Sequence, residues 1–214
     1  TRRFADFCRI PVFDPSSPEE AYKMIGEAFE YSEKYNTPVL FRPTTRVCHA
    51  YASIDNCDSP SPKKYEGFVK DSKKWVIFPR LSFANHIMIE KRNVEIGKDF
   101  STYSANKAEG GNSEKAVVTS GISYAYTKEC LKDYPDVKLI KIATAYPFPE
   151  DFVLSSLEGA KEVLCIEELS PFIEEQILKL AGKHGLQLRV SGKLDGKVQA
   201  GGENSTDKIA AILG

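Results

Sequence analysis

The sequence predicts an α/β protein whose second half is a three-layer sandwich with a mostly parallel sheet. From residue 115 onward, four short apolar runs typical of buried strands alternate with four helical segments. Such alternation predicts a largely parallel sheet that helices cover on both faces. Earlier in the chain, a capped helix leads into another short apolar run, which predicts part of a second α/β domain. A long connector separates these two regions.

Residues 1–49 are predicted to be that part of the second domain. An apolar stretch at 10–13 comes directly before a helix in which Ser17 is the N-cap and Glu20 completes a capping box. The helical pattern ends before the run "TPVLF", which predicts a short buried strand. Because the chain begins at Thr1 inside a segment of ordered character, we expect a piece of a longer polypeptide.

Residues 50–114 are predicted to be the connector, because their periodicity is weak and Ser, Pro, Asp and Lys are frequent. Within it we expect an extended patch around Trp75 and Phe78, followed by a helix over about 81–96. Stretches of this length without clear elements are uncommon inside one domain. We therefore expect the connector to pack against another surface, with Trp75, Phe78 and Phe83 as anchors.

Residues 115–214 are predicted to form one compact domain, preceded by an exposed linker, "SANKAEGGNSEK". Its first strand and helix lie around residues 117–126 and are followed by three further strand–helix pairs. Ser170 is the predicted N-cap of the third helix, and Ser205 or Thr206 that of the last helix.

Composition and charge exclude several classes of protein. The formal net charge is −1 and basic residues are not clustered, so no nucleic-acid partner is expected. No apolar run has the length of a membrane span and no signal-peptide pattern is present, so we expect no membrane partner and a cytoplasmic location. The five cysteines are odd in number and scattered, which predicts reduced thiols rather than a disulfide framework or a metal knuckle.

Thr119, Ser120 and Gly121 form the first candidate site, at the predicted carboxyl end of a strand. α/β proteins bind ligands at this edge, and a small-residue turn that opens a helix can bind an anion through backbone N–H groups. The alternative is that Ser120 caps the helix and Gly121 makes a tight turn. That alternative is favoured, because a single glycine is a weak phosphate signal.

The run "RPTTRVCH" is the second candidate site, just beyond the strand predicted at "TPVLF". Its cations, hydroxyls and imidazole are suited to a carboxylate or phosphate, and we expect Thr45, Arg46 and His49 to line the edge of a cleft. A salt-bridged corner between domains explains the same residues equally well. Both interpretations remain open from the sequence.

Glu167 and Glu168 follow a predicted strand and are the third candidate. Paired acids there suit acid–base chemistry or a cationic partner. We favour a structural role, with one acid near the dipole of the following helix and the other solvated. Since the chain has no G-x-S-x-G elbow, P-loop, dinucleotide fingerprint or H-E-x-x-H motif, no residue is predicted to be catalytic.

Stretches along nearly the whole chain resemble one family of enzymes. They are "PVFDPSSPEEAYKMIGEAFEYSEKYNTPVLFRPTTRVCH", "FVKDSKKWVIFP", "VVTSGISYAY" and "IATAYPFPEDFV", the last followed by "VLCIEELSPFIEEQI". The stretches resemble the alpha subunits of indolepyruvate:ferredoxin oxidoreductases, which are thiamine-diphosphate-dependent 2-oxoacid oxidoreductases. Of these stretches, "RPTTRVCH", "TSGISY" and "EELSPFIEEQ" are the most specific.

The resemblance implies a layout and an activity for the parent protein. Residues 1–49 would be the last part of the domain that binds the pyrimidine of thiamine diphosphate, and 115–214 would resemble the C-terminal domain of transketolase. The parent would oxidatively decarboxylate an aryl pyruvate to an acyl-coenzyme A and pass the electrons to ferredoxin. Its cofactors would be thiamine diphosphate, Mg²⁺ and [4Fe–4S] clusters, and its partners a beta subunit and the rest of its own chain.

This chain departs from a complete family member, because the thiamine-activating glutamate, the G-D-G motif and the cluster-binding cysteine runs have no counterpart in it. We therefore expect an internal fragment that serves as scaffold and interface and binds none of these cofactors alone. The alternative hypothesis is a stand-alone module, without catalysis, that binds an anion or nucleotide at Thr119, Ser120 and Gly121.

Overall fold

The fold centres on a five-stranded, mostly parallel sheet, which confirms the predicted α/β class. The computed structural model describes residues 1–55, 67–111 and 114–214. In spatial order the sheet reads β3-β5-β4-β6-β7, and β3 runs antiparallel at the edge beside β5. The strands are β3 (Lys107–Glu109), β4 (Lys115–Thr119), β5 (Lys138–Lys141), β6 (Glu162–Ile166) and β7 (Arg189–Ser191).

Helices cover both faces of this sheet, as the sequence predicted. They are α6 (Ile122–Cys130), which a 3₁₀ turn (Leu131–Asp133) extends, α7 (Glu150–Ser156), α8 (Phe172–His184) and α9 (Thr206–Leu213). Successive side chains of a strand point to opposite faces. Ala116 and Val118 of β4 accordingly lie in one core with α7 and α8, while Val117 lies in another with α6 and α9. The result is a three-layer sandwich.

The first part of the chain adds a small parallel pair of strands to the edge of this sandwich. Its elements are α1 (Arg2–Cys8), β1 (Val12–Phe13), α2 (Pro18–Tyr35), β2 (Leu40–Phe41) and α3 (Thr45–His49). The Val12 amide donates to the Tyr146 carbonyl at 2.7 Å, and the Asp14 amide to the Ala143 carbonyl at 2.7 Å. These bonds attach β1 to the segment that follows β5.

The N-terminus of α2 differs slightly from the predicted capping box. The Ser17 hydroxyl accepts from the Glu20 amide, as predicted, at 3.2 Å. The Glu20 carboxylate, however, accepts from the amide and hydroxyl of Ser16, at 2.7 and 2.8 Å, one residue earlier than predicted. The capping contacts therefore begin one residue before the N-cap, and the amide of Glu20, one of the free N–H groups of the first turn, is still satisfied.

The predicted connector contains more regular structure than its sequence indicates. It includes α4 (Ser72–Trp75) and α5 (Pro79–Ser101), so the patch expected to be extended is partly helical and the expected helix is longer at both ends. Strand β3 lies within the residues predicted to be an exposed linker. The linker prediction was therefore wrong for the residues of β3. Pairing with β5 makes this polar segment a strand, a tertiary effect that its composition does not reveal. Residues 56–66 of the predicted connector lie outside the described residues.

The predicted anchors of the connector stay largely exposed, and the ring contact of Trp75 with Phe68, 5.7 Å between centroids, lies within the connector itself. Trp75, Phe78 and Phe83 are 52%, 64% and 71% exposed. The later half of α5 does pack, since Ile96 and Phe100 share a core with Phe13, Met24, Ala28 and Ala143. All three predicted regions thus meet in shared cores, and their division at residues 49 and 114 stays a prediction. None of the described helices is long and apolar enough to cross a membrane.

Candidate functional site

A buried network of charges lies where the carboxyl ends of β1, β4 and β6 meet. Its centre is Arg2, which is only 4% exposed. The guanidinium donates to Asp14 at 2.9 and 3.0 Å, to Glu167 at 3.1 Å and to the Ser120 hydroxyl at 2.6 Å. We call this network the charged corner; its members are Arg2, Asp14, Arg42, Ser120 and Glu167.

Asp14 is the anion that both arginines share. It follows β1 directly and is fully buried. Nη1 of Arg42 donates to its two carboxylate oxygens at 2.9 and 3.1 Å, while Arg2 binds one of them from the other side. Two guanidinium groups therefore face two carboxylates, those of Asp14 and Glu167. Charges taken out of water in this way are tolerated only when they are paired and hydrogen-bonded.

Glu167 joins the charged corner to the N-terminus of α8. Its carboxylate accepts from the amides of Ile173 and Glu174 at 3.1 and 3.0 Å, in addition to Arg2. Burial raises the pKa of Glu167, and the neighbouring Arg2 and these two amides oppose that rise. The position near the helix dipole is as predicted. The predicted cap was wrong, because the N-cap of α8 is Pro171 and Ser170 makes no side-chain cap bond.

The prediction of a solvated Glu168 was also wrong. Glu168 is 8% exposed, and its carboxylate accepts from the Asn204 amide at 3.1 Å. The amide side chain of Asn204 donates in turn to the Ser123 hydroxyl at 2.9 Å. The loop before α9 therefore folds over the end of β6, a long-range contact that the local sequence does not predict.

The turn of Thr119, Ser120 and Gly121 is buried beneath residues of the same chain. Ser120 does not cap α6, because its hydroxyl accepts from Arg2 and the N-cap is Gly121. Gly121 has φ +55°, and a Cβ there would lie 3.0 Å from Oδ1 of Asp14. The tight turn is therefore as predicted, and the anion that faces it is the carboxylate of Asp14. Binding of an external anion at this turn stays a prediction.

Thr45, Arg46 and His49 lie together on α3, and all three are exposed. Nε of Arg46 donates to Glu203 at 2.7 Å, across 157 residues of sequence. Arg42 and Arg46 both bind carboxylates of this chain, as expected for the salt-bridged corner, one of the two interpretations that the sequence left open. Exposure leaves the three predicted residues accessible as the edge of a cleft.

Sequence reasoning missed the two residues at the centre of the charged corner. Asp14 was recognisable in principle, because it follows a short apolar strand at the edge where α/β proteins place functional groups. Arg2 gave no signal, since its role depends on α1 and on contacts with Ser120 and Glu167, more than 100 residues away.

A cavity of about 640 Å³ lies apart from the charged corner, between the start of α2 and α6. Lys141 lines it, is 2% exposed and is ion-paired with Glu20. Its ammonium group lies 4.8 Å from the centre of the Tyr124 ring. Burial lowers the pKa of Lys141, and the neighbouring Glu20 opposes that effect. The cavity combines lysines and glutamates, so it has no strong preference for ligands of one charge.

The described residues do not fit the metal groups that the resemblance implies. They contain no group of three or more His, Cys, Asp or Glu side chains placed to hold a metal ion. Cys8 and Cys48 are exposed, Cys130 is half-buried and Cys165 is buried, and all four are free thiols. Within 1–55, 67–111 and 114–214, no set of three or more such side chains is therefore placed to hold Mg²⁺ or a [4Fe–4S] cluster.

Comparisons with known proteins identify relatives of this chain, although no family model matches it. It is 35% identical to indolepyruvate oxidoreductase subunit IorA of Thermococcus kodakarensis, over 90% of this chain and 31% of the relative. It is also 35% identical to IorA of Methanothermobacter thermautotrophicus, over 91% of this chain and 32% of the relative. The chain thus spans about a third of the length of these relatives.

A solved structure supports the same fold. The 2-oxoglutarate:ferredoxin oxidoreductase of Magnetococcus marinus matches with a TM-score of 0.59 and 14% identity, over 95% of this chain and 41% of that one. The resemblance found from the sequence is confirmed: over nine-tenths of its length, this chain is a relative of one part of the IorA subunits of indolepyruvate oxidoreductases.

Proposed function

We propose that this chain is the scaffold and interface segment of a thiamine-diphosphate-dependent 2-oxoacid:ferredoxin oxidoreductase of the indolepyruvate type. One observation carries the proposal: the charged side chains at the carboxyl edge of the sheet form ion pairs and hydrogen bonds with one another. Arg2, Asp14 and Glu167 are all buried, and each is bonded within the charged corner. Residues committed in this way hold regions of a protein together rather than act on a substrate.

The parent enzyme would convert indolepyruvate or a similar aryl pyruvate to an acyl-coenzyme A and reduce ferredoxin in the cytoplasm. The names of the relatives support this activity, and the fold is compatible with it. We assign thiamine diphosphate, Mg²⁺ and [4Fe–4S] clusters to the rest of the parent, because the activating glutamate, the G-D-G motif and the cysteine runs have no counterpart in this chain. The described residues also include no cluster of three or more metal-ligating side chains. The partners are the rest of the polypeptide, a beta subunit, ferredoxin and coenzyme A.

Thr45, Arg46 and His49 are the residues of this chain that we assign to the edge of the parent's cofactor or substrate cleft. Their exposure on α3, beside the charged corner, supports this assignment. The charged corner fixes the base of α3 through Arg42, so that these side chains would be presented in a constant orientation. They would contribute charge and hydrogen bonds at the rim, with no catalytic role.

Calorimetry on the purified chain tests the scaffold assignment. We expect no heat of binding with thiamine diphosphate and Mg²⁺, and no ferredoxin reduction with indolepyruvate and coenzyme A. The complete indolepyruvate oxidoreductase of Thermococcus kodakarensis serves as the positive control. Tight binding or turnover by the chain alone would contradict the proposal. In a parallel NMR titration with phosphate, unshifted amides of Ser120 and Gly121 would exclude the anion-binding alternative.

A further inference from the structure

One face of α5 is apolar and lies outside every core of the described chain. Phe83, Ile87 and Val94 are 71%, 43% and 62% exposed, whereas Ile96 and Phe100 of the same helix are fully buried. An apolar helix face of this kind normally packs against another element. One stripe of α5 thus presents a surface that the described residues leave uncovered.

The residues on this face follow the spacing of a coiled-coil seam. Arg80, Phe83, Ile87, Glu90 and Val94 are separated alternately by three and four positions. This alternation places all five side chains on one stripe of a helix, the stripe that contacts a second helix. The seam is apolar at three positions and carries one cation and one anion.

The order of residues along the seam makes it complementary to itself. In an antiparallel pair with its two-fold axis beside residue 85, Phe83 lies opposite Ile87 of the second copy. One turn further out, Arg80 lies opposite Glu90 of the second copy, and the symmetry repeats both contacts. A two-fold interface requires this property, since each residue must suit the residue it meets.

The neighbouring contacts of Glu90 are compatible with this pairing. Its ion pair with Arg9, at 3.2 Å, and its contact with His86, at 3.9 Å, both use Oε1. The side chain is 43% exposed. A second arginine can therefore reach the carboxylate from the open side.

A groove on the surface of α5 lies along one side of the seam and includes Ile87. It has a volume of about 380 Å³ and includes Ala84, Ile87, Met88 and Lys91 in its lining. These four positions follow the i, i+3, i+4, i+7 pattern of the hole that receives a side chain in helix pairs.

We propose that this chain associates with a second copy of itself through antiparallel pairing of α5. The exposed side chains next to the seam extend the contact, because Val76, Ile77 and Phe78 are 53%, 91% and 64% exposed. A standard interface takes ~800 Å² from each partner, and these three side chains enlarge the apolar surface that the seam offers toward it. This inference is independent of the oxidoreductase proposal.

Sedimentation equilibrium of the 214-residue chain tests the proposal. We expect a concentration-dependent dimer, weakened at least about tenfold by Ile87→Glu, because a charge replaces a buried apolar side chain. Leu194→Glu is the matched control: Leu194 is 55% exposed in the loop after β7, and its substitution should leave the dimer intact. Circular dichroism establishes that each variant is folded.

Charge reversal tests the register. Arg80→Glu alone and Glu90→Arg alone each bring like charges together at both symmetric contacts and should give monomers. An equimolar mixture of the two variants restores opposite charges at both contacts and should give a mixed dimer. A monomeric wild type, a dimer insensitive to Ile87→Glu, or folded variants that fail to associate when mixed would each overturn the proposal.

Discussion

Arg2 donates a hydrogen bond to the carboxylate of Glu167, 3.1 Å away and 165 residues further along the chain. This contact ties the first helix of the chain to the end of β6, an inner strand of the main sheet. The same guanidinium also binds Asp14, which follows β1. The charged corner therefore connects the first part of the chain to the sandwich.

Replacing Arg2 with Ala should destabilise the chain by about 3–5 kcal/mol, because Asp14 and Glu167 would lose the partner of a buried ion pair. The change is measured as the free energy of unfolding in urea. Arg3→Ala is the matched control, since Arg3 forms an ion pair with Glu175 in which the side chains are 52% and 36% exposed. Its loss should cost no more than about 1 kcal/mol. Equal costs for the two variants would contradict a central role for Arg2.

Gly121→Ala should destabilise the chain by roughly 1–3 kcal/mol, since φ is +55° and the new methyl group would press on Asp14 and Thr44. The comparison is Gly26→Ala within α2, where nothing lies within 4 Å of the added group. That substitution should stabilise the helix by about 0.5–1 kcal/mol. Thermal unfolding of the two variants gives both values, and a neutral Gly121→Ala would show that the turn relaxes.

Asp99 should make the stability of the chain depend on acid pH. Burial raises the pKa of Asp99, but hydrogen bonds from Lys34 and Tyr35 outweigh it, so the pKa lies below its ordinary value of 3.8. The unfolded chain, in which the pKa of Asp99 is about 3.8, takes up the proton at a higher pH than the folded chain does. The ionised Asp99 therefore contributes its full stabilisation above pH 3.8, and this stabilisation is lost as the pH falls through the pKa of the folded state.

Urea unfolding of wild type and Asp99→Asn over a series of pH values measures this effect. The difference between the two proteins should be constant above about pH 5 and should shrink in more acidic solution. A difference that does not change with pH would mean that the charge of Asp99 contributes nothing.

Alkylation should distinguish the free thiols by their burial. Cys8 and Cys48 are exposed and should react with iodoacetamide in the folded protein. Cys165 is fully buried, and burial raises the pKa of its thiol well above the ordinary value, so it should react only after unfolding. Mass spectrometry of the peptides identifies each modified residue. Rapid modification of Cys165 in the native chain would contradict the packing of β6.

The strand–helix alternation after residue 115 was predictable because it depends on local signals. Runs such as Ala116 to Val118 are apolar and rich in β-branched residues, and a helical segment follows each of them. The three-layer sandwich follows from that order alone. Strand β3 was missed because its sequence is polar, and only pairing with β5 makes it a strand.

The candidate site was predictable in part. The sequence identified Thr119, Ser120 and Gly121 and the run that contains Arg46, because these lie at strand ends. It did not identify Arg2 and Asp14, the residues that occupy the space in front of that turn. It also left open whether the arginines face a ligand or a carboxylate of the same chain.

The sequence by itself determined the fold class, the resemblance to IorA and the turn at Thr119, Ser120 and Gly121, because short contiguous segments of the chain carry each of these signals. Only the tertiary structure decided what that turn meets. Asp14, Arg2 and Glu167 come from three distant segments, and their charges are stable in the interior only when packing brings them together. Periodicity predicts that α5 has an apolar face, as it does for any amphipathic helix. Only the exposure of its side chains shows that the described residues leave the seam uncovered.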